Sequence, residues 1–189
     1  MKKLLVLLVL IFAVSLTGCS KDTELENALT KMDNLDSFSS SISMLDAPIY
    51  GTMTMLIAYD GDLTYVQDSF DNIGYSKIID GEEYVYRENE VGVLVLSDTP
   101  EDGEPIAKNQ FMSRLSQSDF KENDGAWELT KDKVYMDDSE VDYMKDIAIL
   151  INDEGYIYQI TFLLFNAEEA QISVVVEYAG FDTTIITVP

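Results

Sequence analysis

The sequence predicts a mainly β, α+β domain: a strongly curved antiparallel sheet with an N-terminal helix and an interrupting helix in its concave face. Three observations carry this. About ten short segments alternate apolar and polar side chains and are separated by tight-turn residues. One segment ahead of them, 22–36, repeats its apolar residues at three and four. One break rich in proline and acids, 97–105, splits the series and precedes a second helical pattern. A sheet of that many strands curls, and a helix with a single apolar stripe is laid into the hollow.

In the first helix Leu25, Ala28, Leu29, Met32 and Leu35 share one face, and Thr23 with Glu26 reads as a capping box. At Ser37 the period changes to two: Phe38, Ser40, Ile42 and Met44 alternate with serines until Asp46-Ala47-Pro48. Strands are predicted over 52–59, 63–70, 73–79, 83–87 and 91–96. Asp60-Gly61 and Asp80-Gly81 supply hairpin turns, because Asp-Gly tolerates the positive φ angles that a tight turn requires. The second helix covers 107–118, with Ala107, Phe111, Leu115 and Met112 facing inward. Two short strands flank Asn123-Asp124-Gly125, with Trp127 and Leu129 on the second. The acidic stretch 131–145 is expected to hold an edge strand and a loop or short helix. Strands at 146–151, 156–165 and 171–178 follow, and a last one at 183–188. Both faces of 156–165 are apolar near its end, so that strand is covered on both sides or opens onto an apolar cavity.

Composition removes whole classes of chemistry. The chain has no histidine, hence neither the commonest general base nor the commonest metal ligand. It has one cysteine, so no disulfide forms within it. No enzymatic activity, cofactor or metal is expected. Asp60-Gly61-Asp62 and Asp137-Asp138-Ser139-Glu140-Val141-Asp142 are the densest acidic clusters, and neither has the ligand order of a calcium loop. Of 12 basic residues two fall within 1–18, whereas all 35 acids come later, leaving a formal charge of −25 from position 19 onward. Nucleic-acid binding needs a basic footprint, and none exists. Tyrosines spread through the strands suit half-buried sheet faces with one wet end.

The N-terminus sets the location. Lys2 and Lys3 precede an apolar run over 4–14, then Leu16-Thr17-Gly18-Cys19. This is the pattern of a secretory signal, and it falls short of the roughly 20 apolar residues that span a bilayer. The four residues resemble the bacterial lipobox. That resemblance implies cleavage between Gly18 and Cys19, a diacylglyceryl group on the Cys19 sulfur and a palmitate-type chain on the new N-terminus. The expected organisation is a signal peptide over 1–18, a lipidated Cys19 and tether over 19–24, and one domain over 25–189. The protein is then held at the extracytoplasmic face of a cell membrane by its lipid anchor.

The run Met32-Asp33-Asn34-Leu35-Asp36-Ser37-Phe38-Ser39 and the closing Val176-Glu177-Tyr178-Ala179-Gly180-Phe181-Asp182-Thr183-Thr184-Ile185-Ile186-Thr187-Val188-Pro189 resemble the LolA/LolB and LppX/LprG group of lipoprotein-type carriers. The resemblance covers most of the chain after Cys19 in layout. It implies an incomplete β-barrel that encloses an apolar cavity for acyl chains, and so non-catalytic binding or transport of a lipid or other hydrophobic ligand. A sibling branch with the same fold, the RseB-type regulators, implies the alternative of an envelope sensor that binds a protein partner. Candidate ligand-lining residues are Phe38, Ile42, Met53, Met55 and Ile57 on the first strands, and Phe111 and Leu115 on the interrupting helix. Ile160, Phe162, Val174 and Val176 on the last strands complete the set. Each is also a candidate for ordinary core.

Overall fold

The computed structural model of the protein describes residues 23–47, 51–101, 112–136, 139–166 and 171–189. Gly18, Cys19, Phe111 and the first part of the second predicted helix lie outside them. One α-helix, α1 (Glu24–Asp33), precedes β1 (Ser37–Ala47), β2 (Gly51–Asp60), β3 (Leu63–Gln67), β4 (Ile73–Ile79), β5 (Glu82–Glu88) and β6 (Leu94–Leu96). Two short 3-10 turns, Met112–Arg114 and Gln117–Asp119, lead into β7 (Phe120–Asn123), β8 (Ala126–Leu129) and β9 (Val134–Tyr135). The long strands β10 (Tyr143–Ile151), β11 (Ile157–Phe165) and β12 (Gln171–Ala179) follow.

All twelve strands form one curved, open antiparallel sheet in the order β6-β5-β4-β3-β2-β1-β12-β11-β10-β8-β7, with β9 beside β10. The first half of the chain therefore steps outward from β1, and the second half steps inward from the far edge until β12 pairs with β1. Leu25, Ala28 and Met32 of α1 are buried with Phe38, Ile57, Ile149, Ile157, Ile160 and Val176 in a single core on the concave side. The helix and the hollow are as the sequence predicts.

The hairpin turns form where expected, but at Asp60-Gly61 only the glycine has a positive φ, 58°. Asp80 and Asp124 have φ of 54° and 49°, and the glycines after them 87° each, the paired positive angles of a two-residue hairpin turn.

Several expectations are corrected, among them the strand expected over 63–70, which ends at Gln67. The capping box does not form: Thr23 makes no side-chain cap bond, and the Glu26 N–H donates to the Gln117 side-chain carbonyl at 2.8 Å. A residue 91 positions away caps the helix, which local pattern cannot reveal. Within 112–119 the second helix is two 3-10 turns, broken where Ser116 adopts an extended conformation. The strand expected over 91–96 starts only at Leu94, because the Asn89 side chain accepts the N–H groups of Val91 and Val93 and holds a turn there. Finally, 183–188 is not a strand. β12 is already flanked by β1 and β11, so the chain that leaves it finds no free edge beside it, the open edges being at β6 and β7. It is held instead by bonds such as Ile186 N–H to Asp60 Oδ2 at 3.1 Å.

β10 begins at Tyr143, not at 146, and a bulge explains why. The register shifts between Lys145 and Ala148, with Asp146 at φ 50°. Met144 and Ile147, three apart, therefore both reach the core. A second shift between Leu150 and Ile151 places Ile157 and Ile160 of β11 both inward. The bulge accounts for the start of β11; near its end the alternation is regular and both faces are apolar. Its outer apolar face is met by Tyr143, whose ring stacks on Phe165 at 5.1 Å.

Two tyrosines are buried in the core beside Phe38. Burial raises the Tyr178 hydroxyl well above its usual ionisation range, and Tyr59 beside it adds to the shift. Tyr59 is raised by burial first and by Glu83 second. A raised folded pKa leaves stability intact below the unfolded tyrosine value of about 10 and removes it as pH climbs towards the folded value. Between those limits each such proton costs up to about 1.4 kcal/mol per pH unit. Urea unfolding at several pH values from about 8 to about 11 is expected to show this fall, and Tyr178→Phe to flatten it. Equal slopes in the two proteins would refute the assignment.

Candidate functional site

The candidate residues from the two ends of the chain share the concave face, in cross-strand rows. One row runs Met55, Ile42, Val176, Ile160, Ile149, Trp127 across β2, β1, β12, β11, β10 and β8. The next runs Met53, Met44, Val174, Phe162. Along these rows burial changes. Phe38, Ile57, Ile160, Phe162, Val174 and Val176 are buried members of the core. Ile42, Met53 and Met55, with Met44, Leu164 and Ile172, are half-buried. The structure thus brings nine of the sequence-derived residues onto one surface: six are packed core and three are partly accessible. Phe111 is outside the described residues.

Leu115 sits elsewhere, and it marks an open groove of about 840 Å³ between α1, the segment 115–118 and the β7–β8 hairpin. Its apolar floor is Leu29, Leu115, Phe120 and Trp127. Leu115, Phe120 and Trp127 are each less than a tenth exposed, so the floor is closed and a ligand would lie on it. The polar rim is Glu26, Thr30, Asp33, Ser116, Gln117, Ser118 and Glu122. α1 presents two faces: Leu25, Ala28 and Met32 go to the core, while Glu26, Leu29, Thr30 and Asp33 follow the groove at helical spacing.

The groove wall is fixed by local bonds. The Gln117 bond to Glu26 N–H ties the second 3-10 turn to the first turn of α1. Lys131 pairs with Asp119 at 2.7 Å, and the Thr130 N–H and hydroxyl both donate to the Asp119 carbonyl, each at 2.8 Å. Glu122 accepts the Gly125 N–H at 3.0 Å, which orients its carboxylate through the hairpin turn. Lys121 also borders the groove, but it alternates with Phe120 and Glu122 along β7 and pairs across the strand with Glu128, so its side chain leaves by the opposite face. The rim is acidic.

Sequence reasoning found Leu115 but missed Leu29, Phe120 and Trp127 as site residues. Leu29 had a readable signal, since it lies three after Glu26 and four before Asp33, off-centre from Leu25, Ala28 and Met32. Phe120 and Trp127 had none, because their meeting with α1 depends on the strand order. Among the described residues no three acidic side chains converge as metal ligands would, and no helix is long and apolar enough to cross a membrane.

No protein-family model and no curated protein matches the sequence. Among solved structures the chain is similar to LprF from Mycobacterium bovis. The match has 10% identity over 89% of this chain and 95% of that one, with a TM-score of 0.44. The assignment of function therefore rests on this chain's own residues.

Proposed function

We propose that the chain is a lipoprotein, anchored through acylated Cys19 at the extracytoplasmic face of a cell membrane, that binds a hydrophobic or amphiphilic small molecule without chemistry. The observation that supports this best is the groove beside α1. Its 840 Å³ lies within the range of about 300–1,000 Å³ typical of small-molecule sites. An apolar floor under a polar rim suits a molecule with one greasy and one wet part.

Position adds to the case. Glu26 at the rim is seven residues after Cys19, and seven residues span at most about 25 Å. A groove so tethered stays close to the bilayer from which an amphiphile would come. Catalysis is not part of the reading: the chain has no histidine, and its single thiol is the one acylated.

Among the described residues every buried core residue lies between Leu25 and Tyr178, so the chain from Ser20 onward includes all of them. Native mass spectrometry of that chain, made in an exporting host, is the test. An added mass of lipid size, lost on organic extraction and regained on add-back, is the expected result. A clean mass with no uptake would overturn the binding reading. It would favour instead a sensor that recruits a protein partner, for which the β6 edge is the best surface. That edge strand is three residues long, and Val91, Val93 and Val95 on and before it are exposed.

A further inference from the structure

We infer that the groove selects a single-chain amphiphile with a cationic head group, an inference that rests on the binding reading above. Glu26 and Asp33 stand seven residues apart on α1, about 10 Å along its axis, with Leu29 between them. Glu122 lines the opposite wall from β7, its carboxylate accepting the Gly125 N–H. A head group at the rim therefore meets the two carboxylates of α1, while Lys121, the one lysine among the described residues at the border, alternates with Phe120 and Glu122 along β7.

An anionic head group is repelled at each of these contacts, and a cationic one is attracted. The floor adds the limit to one chain. With Leu115, Phe120 and Trp127 closed over the core, the tail lies along the groove instead of entering the hollow, and the space above the floor is that of one drug-sized molecule.

Trp127 is the only tryptophan of the chain and lies in the groove floor, so its fluorescence reports occupancy directly. The chain from Ser20 onward is titrated at low salt with dodecyltrimethylammonium, dodecylphosphocholine and dodecanoate, each below its micelle concentration. The cationic probe is expected to bind about tenfold more tightly than the anionic one, with the zwitterion between, and added salt to narrow the gap. In the double variant Glu26→Gln with Asp33→Asn the preference is expected to fall below about threefold. Glutamine at 26 keeps the backbone bond to Gln117.

Equal binding of the anionic and cationic probes would overturn the head-group inference and leave the binding reading standing. A preference that survives intact in the double variant would assign it to the charge of the whole chain and overturn the inference as well. No response to any of the three probes would overturn the binding reading itself.

Discussion

Phe38→Ala is expected to remove about 3–5 kcal/mol of folding stability, a large part of the roughly 5–15 kcal/mol that a domain has. Phe38 is 1% exposed. Its ring lies 4.8 Å from that of Tyr59 on β2 and 6.0 Å from that of Tyr178 on β12. It therefore joins the two halves of the sheet at the strand where they meet. Truncation removes its apolar area from the core, leaves a void that two flanking strands cannot close, and loses aromatic contacts worth about 0.5–1.5 kcal/mol beyond area. At about 2–4 °C per kcal/mol for a chain of this size the melting point drops by roughly 10 °C. Phe38→Leu should cost much less. Urea unfolding of the three proteins decides the matter. A loss under about 1 kcal/mol for alanine would mean that this end of the hollow is an open cavity and not packed core.

The second large effect concerns location. Cys19→Ala is expected to abolish membrane retention, since the only thiol available for acylation is gone. Two or three acyl chains, at about 0.8 kcal/mol per buried methylene, hold a protein where one chain is marginal. With a formal charge of −25 after residue 18, the polypeptide itself has no attraction to anionic lipid. The contrast between variant and native chain should thus be close to all-or-none in a membrane fractionation, with intact mass showing the missing acyl groups. A Cys19→Ala chain that stays with the membrane as fully as the native one would sink the lipid-anchor proposal.

Much of the fold was legible because its signals are local. Asp-Gly turns fix hairpins through the backbone angles of two residues, and Leu25, Ala28 and Met32 mark a helix face without reference to any other element. What was hidden depends on pairing. The Asp146 bulge moves the inward positions of β10 from 144 to 147, and no alternation rule anticipates a residue left out of the count. The segment 183–188 alternates as a strand should, yet both sides of the preceding β12 are already taken. The cap on α1 comes from Gln117, and the groove is made where elements about ninety residues apart in sequence come together. The concave rows were readable as apolar strips. Which part of each row is closed was not, because that is decided by where α1 and the 112–119 segment lie.

The pairing of β1 with β12 has a bearing on when the protein can fold. Ser39 faces Ala179 across that ladder, 140 residues away, and the core straddles it. Contacts so distant in sequence form late and slowly. The early strands can zip as hairpins while the chain emerges, but α1 has no finished floor to sit on until β11 and β12 arrive. Under the export proposed above, a polypeptide built this way would stay unfolded, and so threadable through a membrane pore, until its last strands arrive.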